Sequence, residues 1–414
     1  MKSAQLAIVG VTHAERFALW RTSFNRGQRE VVPRCASPYA RLCGKPPVVQ
    51  SPCCLTIASM AALSIALFWA LPARGQGLYS IADVGVLPGG TFSQANSLNN
   101  LGQVVGVSSS ANGIRGFRYD AGGLVDLGVV PGGASSIAYA INDVGQIVGQ
   151  SGTAAAPRAF MYQNGAMSSL GVLAGGTISR ASDVNNASQV VGYSDTGSGA
   201  SRVFVYENGV MSDLGVPAGA TSSQPTALND RGEIVGTYTA VAAYGSFLYS
   251  AGVFQLLPQL PGGATVSAAD ISNRGQITGT FGTSASYHAF RFSDGAFEDL
   301  GAFAGGLFSV GRAINDAGLV VGEASSPSGG FHAALFASGG PIDLNALVLD
   351  GSEWSLNAAT GINASRQISG FGTFRGALHG FVLTPVPEPS SMALLGAGIG
   401  LLASWRMRRR STLS

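Results

Sequence analysis

Three Asn-Asp pairs, Asn142-Asp143, Asn229-Asp230 and Asn315-Asp316, are the residues of this chain whose type and spacing first suggest chemistry. Carboxylate and amide oxygens are ligands that calcium takes, but calcium loops supply oxygen donors at alternating positions, and no such ladder follows these pairs. A glycine does: Gly145, Gly232 and Gly318. Asx side chains bond the local backbone and glycine accepts a positive φ, so the nine residues read as structural hairpin turns. In sister segments Asn100, Asn186 and Ala364 replace the acid, which fits a turn better than a catalytic group.

His288, His332 and His379 share one register and could suggest a metal set, yet Gly116, Arg158, Arg202 and Gly245 hold that register elsewhere. It opens a third strand, away from any common centre, so the histidines read as polar strand-edge residues. The Pro-Gly-Gly loops at 88–90, 131–133 and 261–263, with Gly175-Gly176 and Gly305-Gly306 as variants, lack the Lys-Ser/Thr and the helix N-terminus that a phosphate cradle needs. They read as turns between modules. No G-x-S-x-G, H-E-x-x-H or paired-Cys motif occurs. The sequence assigns no catalytic, cofactor-binding or metal-ligating residue.

The elements that position these residues form a ladder. Asn99, Asn142, Asn185, Asn229, Ser272, Asn315 and Asn363 hold equivalent places at spacings of 43, 43, 44, 43, 43 and 48. A glycine follows three residues later at Gly102, Gly145, Gly232, Gly275 and Gly318, with Ser188 and Ser365 read as its replacements. Another closes each segment at Gly106, Gly149, Gly192, Gly236, Gly279, Gly322 and Gly370. A fixed period in the forties means a modular array.

Each period holds four strand-like pieces; in the second they are 136–142, 146–151, 159–165 and 166–173. Four short strands per period predict an all-β, seven-bladed propeller. The segment "DVGVLPGG" (83–90) matches "DLGVVPGG" (126–133), the fourth strand and exit loop of a blade, but has no three strands before it. The last period stops after "ALHGFVLTP" (377–385), without a fourth strand. Residues 79–87 are therefore expected to complete the last blade and close the ring, which removes the exposed edges of an open array.

Composition agrees. Of 414 residues, 59 are glycine and 11% are charged, too much glycine for a helical protein, while 46% apolar residues argue against disorder. Between Gly75 and Leu383 stand eleven arginines, no lysine and nineteen acids, a charge of −8, so the overall +2 resides in the ends and nucleic-acid binding is excluded. Cys35, Cys43, Cys53 and Cys54 all precede the body, which forms no disulfide or thiolate site.

The ends read as addresses. An apolar run from Cys53 to Ala73, followed by Ala73 and Gly75 at signal-peptidase spacing, predicts a secretory signal over 53–75, handled by the Sec machinery and signal peptidase. A retained membrane anchor is the other reading of this run. Residues 1–52 are too long for an ordinary n-region: the start codon is misassigned or the region is extended. At the other end, Pro387, Glu388 and Pro389 precede an uncharged stretch, 390–405, and then Arg406, Arg408, Arg409 and Arg410. Sixteen helical residues span about 24 Å, a short transmembrane helix whose arginines stay cytoplasmic. A plain tail anchor with a proline-rich spacer is the alternative.

This tripartite tail, residues 385–414, resembles the PEP-CTERM sorting signal of Gram-negative bacteria. The resemblance implies processing by an exosortase-type membrane protease, with Pro387, Glu388 and Pro389 as the recognition motif, transient inner-membrane insertion, and release to the surface or exopolysaccharide matrix. The repeats over 76–384 resemble the bacterial extracellular HAF family, whose His-Ala-Phe triplet is intact at His288-Ala289-Phe290 and degenerate at Arg158-Ala159-Phe160, His332-Ala333-Ala334 and His379-Gly380-Phe381. That implies an extracellular repeat protein without an established activity.

Function then falls to geometry. In a propeller the glycine loops share a face with the second-to-third connections, 107–115, 150–157, 193–201, 237–245, 280–287, 323–331 and 371–378. These are rich in Ser, Gly, Ala and Thr, with Arg115, Asp195, Tyr238, Tyr244, Tyr287 and Arg375 among them. Loops on a rigid scaffold commonly bind, and exopolysaccharide is the candidate partner. The expectation is an exported, non-enzymatic binding or structural module. A secreted lyase or glycosidase is the alternative, requiring carboxylates or a His/Tyr pair at the channel mouth.

Overall fold

The computed structural model describes residues 78–387, apart from 154, 260–263, 284, 327–328 and 338. Among the described residues no helix is long and apolar enough to cross a membrane. The expected signal segment (53–75) and transmembrane helix (390–405) lie outside them, as do Glu388, Pro389, Arg406, Arg408, Arg409, Arg410 and the third Pro-Gly-Gly loop.

Twenty-eight strands, β1 to β28 in chain order, form seven four-stranded antiparallel sheets, the blades of a propeller. Blade two shows the pattern: β6 (Ser135–Ile141), β7 (Ile147–Thr153), β8 (Ala156–Gln163) and β9 (Ala166–Gly171) hydrogen-bond in that order. The four strand-like pieces of one period thus become four strands. The ring closes as the orphan strand predicts. β1 (Tyr79–Asp83) pairs antiparallel with β28 (Ala377–Pro385), Tyr79 opposite Pro385 and Asp83 opposite Phe381. Backbone bonds from Tyr79 N–H to the Leu347 carbonyl and from Leu349 N–H to the Tyr79 carbonyl hold its outer edge.

The core lies between blades as repeated apolar layers. Val105, Leu127, Ala138, Ile147 and Phe160 make one such layer from blades one and two. One phenylalanine of the third strand anchors most layers: Phe117, Phe160, Phe204, Phe247, Phe290 and Phe381 are fully buried. In blade six Ala334 takes that place and the buried Phe336 fills the space two residues later. The ladder glycine of the second strand makes room first for the inner strand's backbone and then for this ring. A Cβ on Gly149 would stand 2.9 Å from Phe160 Cε1 and would run into the Ile137 carbonyl oxygen.

Two expectations are corrected. In five blades the second-to-third connections are tight turns rather than loops: 107–115, for instance, is strand to Ser110, a two-residue turn, and strand again from Gly113, while in blades three and six five residues separate the strands. Their serines are latches, since the buried Ser108, Ser151 and Ser194 hydroxyls accept from the N–H groups of Leu87, Val130 and Leu173. The second correction concerns the turns. Gly145, Gly232 and Gly318 take φ of 83°, 74° and 76°, and Ser188 takes 65°. In blade seven the left-handed residue is Arg366 (φ 61°), not Ser365. That blade keeps the turn despite a side chain, because Asn363 still accepts from Gln367 N–H at 2.9 Å.

Candidate functional site

The first-to-second turns of all seven blades meet at one end of the central channel, around a mouth of about 190 Å³. Each ladder asparagine does two jobs. Asn142 Oδ1 accepts from Gln146 N–H at 2.9 Å, closing its own turn, while its Nδ2 donates to the Asn185 carbonyl of the next blade at 2.9 Å. Asn99, Asn185, Asn229 and Asn315 donate onward in the same way, and Asn363 returns to the Asn99 carbonyl at 3.1 Å. Ser272, the seventh, is too short to reach. Buried amides paired on both ends make this ring a structural belt.

The next residues make a second ring: Asn100, Asp143, Asn186, Asp230, Asn273, Asp316 and Ala364. Acid and amide alternate, so carboxylates are kept two blades apart and every one is bonded. Asp143 accepts from Asn100 N–H and Nδ2, both at 2.8 Å, and Asp230 accepts from Asn186 N–H at 2.8 Å. Asp316 accepts from Asn273 N–H at 2.7 Å. Strict alternation cannot close around seven, and Ala364 marks the mismatch. Among the described residues no three His, Cys, Asp or Glu side chains are placed to hold a metal ion.

Each histidine pairs with an acid on the outer strand of its own blade, a partnership the sequence reading missed. His288 Nδ1 lies 3.0 Å from Asp299, His332 Nδ1 2.7 Å from Asp343, and His379 Nδ1 2.9 Å from Asp83 across the ring closure. Arg202 makes the same contact with Asp213 at 3.0 Å. A recurring spacing of eleven residues was the available signal; only the closure pair, 296 residues apart, breaks it. The aromatic and charged residues expected on the loops are also mostly committed. Tyr238 is 6% exposed in an apolar layer, Asp195 binds Thr177 and Ile178 N–H at 2.7 Å, and Arg375 pairs with Glu353 at 2.7 Å.

A more varied set of side chains faces the channel. On every inner strand a β-bulge lies three residues before the ladder position. The extra residues, Asn96, Tyr139, Ser182, Thr226, Ala269, Arg312 and Thr360, all line the channel, and Asn96, Thr226 and Thr360 also donate to the Ala138, Ala268 and Ala95 carbonyls of the next blade. A bulge re-aims the side chain it inserts. Beside this column the repeat is strict. The residue just before the ladder position is always aliphatic (Leu98, Ile141, Val184, Leu228, Ile271, Ile314, Ile362). The column itself is nearly all different, and this was the overlooked sequence signal.

Toward the end where inner strands begin, the channel widens to a funnel of about 490 Å³, where Arg180, Tyr193, Gln224 and Thr237 join the column. No carboxylate lines it. The Arg180 guanidinium lies over the Tyr139 ring, 3.7 Å from its centroid, and its Nε is buried with no hydrogen-bond partner. Burial pushes the Tyr139 phenol above its ordinary value of 10, against the lowering pull of Arg180. Arg312 is neutralised by Glu323 at 2.7 Å.

Between funnel and turn mouth stand Asp183 and Asp270. Asp183 accepts from Val184 N–H at 2.8 Å and from Leu228 N–H of the next blade at 2.7 Å; Asp270 accepts from Ile271 and Ile314 N–H, both at 2.8 Å. Channel water reaches part of each, but loss of bulk solvent dominates. It pushes Asp183 up to about 7 and Asp270 up to about 6, against these hydrogen bonds.

Comparison with known proteins bears on the tail and the fold. Solved structures resembling the chain include one from a structural and mechanistic analysis of two prolyl endopeptidases (11% identity, TM-score 0.49, 80% of this chain and 55% of that one). A puromycin-hydrolyzing peptidase of Mycobacterium tuberculosis gives 11% identity and TM-score 0.47 over 68% of this chain and 48% of that one. YCF48 bound to D1 peptide gives 13% and 0.43 over 77% and 99%. The chain spans about half the length of the peptidases, and likeness at this level says nothing about activity. No curated protein matches. Residues 385–410 match the PEP-CTERM protein-sorting motif, which implies processing by an exosortase-type system and export to the surface or extracellular space of a Gram-negative bacterium.

Proposed function

We propose that this chain is an exported, non-enzymatic propeller that serves at the cell surface or in the exopolysaccharide matrix as a binding module, with the funnel as its binding end. The observation that carries the reading is the bulge column, where the repeat abandons its regularity at side chains turned to the axis. The sorting motif and the resemblance of the repeats to extracellular HAF modules support the setting. Sec export with signal-peptidase cleavage near Gly75, transient insertion of 390–405 with Arg406–Arg410 inside, and cleavage near Pro387-Glu388-Pro389 complete the route. Mass spectrometry of the released protein is expected to lack Arg408–Arg410; a retained basic end sinks the sorting claim. The full chain, screened on a polysaccharide array, is expected to bind a restricted set of glycans, and binding to none of them sinks the module claim.

A secreted lyase or glycosidase is the second reading, favoured by Asp183 and Asp270, because a carboxyl protonated near neutrality is what a general acid requires. Both oxygens of each already accept backbone N–H bonds, which leaves them structural. Release of new reducing ends from a polysaccharide panel, abolished by Asp183→Asn, would establish the enzyme.

A further inference from the structure

We propose that the funnel holds the terminal acidic unit of a saccharide, its carboxylate against Arg180 and its hydroxyls against the surrounding amide and hydroxyl side chains. The inference rests on the binding reading above and names the ligand class of that same site.

Arg180 is the argument. Of the eleven arginines of the body, six pair with carboxylates, two donate to backbone carbonyls and two stand exposed. Arg180 alone is half-buried with neither an anion nor an acceptor among the described residues, and its Nε is buried and unpartnered. A buried donor without a partner is unfavourable, so the fold keeps Nε at a loss that a ligand ordering the fork would offset. The stack on Tyr139 holds the planar fork in one orientation. A planar carboxylate is what such a fork binds through two parallel N–H bonds. Tyr139 stays a neutral phenol and does not compete for the charge.

The surroundings select a sugar. Gln224 and Thr237 offer an amide and a hydroxyl, the Asn96 and Thr360 oxygens can still accept while both side chains donate to the next blade, and the Tyr139 and Tyr193 rings offer the faces on which a sugar stacks. About 490 Å³ falls within the range of small-ligand pockets. The setting selects an end unit. The body carries −8, which opposes a polyanion laid across the surface, whereas screening beyond about 8 Å at physiological salt leaves a single carboxylate beside Arg180 to be judged by its nearest charge.

Isothermal titration tests this on the full chain in detergent, with an oligosaccharide ending in glucuronate and the same oligosaccharide as its methyl ester. The acid is expected to bind the wild type at least 10-fold more tightly than the ester, a comparison that needs no variant. Arg180→Gln is expected to lose at least 10-fold for the acid and little for the ester, and Arg180→Lys to recover part of it. Equal binding of acid and ester, or an unchanged Arg180→Gln, overturns the carboxylate assignment and leaves the binding module standing. If neither oligosaccharide binds while a peptide with a free C-terminal carboxylate does, the saccharide assignment is overturned; if the array is empty as well, the module reading falls with it.

Discussion

The two ends of the channel are built from the same seven inner strands, yet one is repeated and the other is not. At the turn mouth, an amide from each of six blades makes the same two contacts, inside its turn and onto the next blade. At the funnel, the column three residues earlier holds Asn, Tyr, Ser, Thr, Ala, Arg and Thr. A position that must satisfy the neighbouring blade tolerates few residues, because every blade poses the same packing problem. The bulge position meets that demand in only three blades, where Asn96, Thr226 and Thr360 donate to carbonyls of the next blade, and is free of it in the other four. Regularity marks the frame and irregularity marks the site.

The division can be broken by experiment. The largest effect is expected in the repeated layer: Phe160→Ala, which empties a fully buried site between blades, should cost about 4 kcal/mol in urea unfolding. A loss below about 1 kcal/mol would deny that these layers carry the stability. Next comes the turn mouth. Asn142→Ala leaves Gln146 N–H unpaired and removes the bond to the Asn185 carbonyl, which keeps only Ser188 N–H, and should cost about 2 kcal/mol. The matched change in the funnel, Tyr139→Phe, should cost under about 0.5 kcal/mol, because that hydroxyl bonds nothing in the frame. If the two cost the same, the contrast between the ends fails.

The smallest effect concerns the carboxylates between the ends. Asp183 and Asp270 bind their protons more tightly folded, at about 7 and about 6, than an ordinary aspartate near 3.9. The native state therefore holds the extra protons, and the stability they contribute is complete below about pH 4 and is lost as pH rises through about 6 and 7. Asp183→Asn removes one of these titrations. Its Tm should fall less than that of the wild type between pH 5 and pH 8, by roughly 2 °C. Parallel Tm curves would show that Asp183 does not titrate in this window.

Much of the frame was legible. The 43-residue ladder predicted seven blades, and the orphan strand beginning at Tyr79 predicted its partner at Ala377–Pro385, because a fourth strand without three before it must pair elsewhere. The turn chemistry of Asn142 and Gly145 was also legible, being local. The same amide's donation to Asn185 was not, since it depends on where the neighbouring blade stands. The serines of 107–115 and its sister segments misled: composition describes a flexible binding loop, whereas Ser108 is a buried latch on Leu87 N–H. His379 and Asp83 could not be paired from a spacing at all, because the ring closure brings them together.

By itself, then, the sequence determined how many modules there are, what each is made of and how the ring shuts, since these follow from a repeating pattern of apolar, glycine and Asx positions that has one packing solution. Only the tertiary structure decided which polar side chains remain unspent. That is a subtraction over the whole ring: Arg180 is distinguished by being half-buried with neither an acid nor an acceptor within reach among the described residues, and what lies within reach is settled by seven strands converging on one axis.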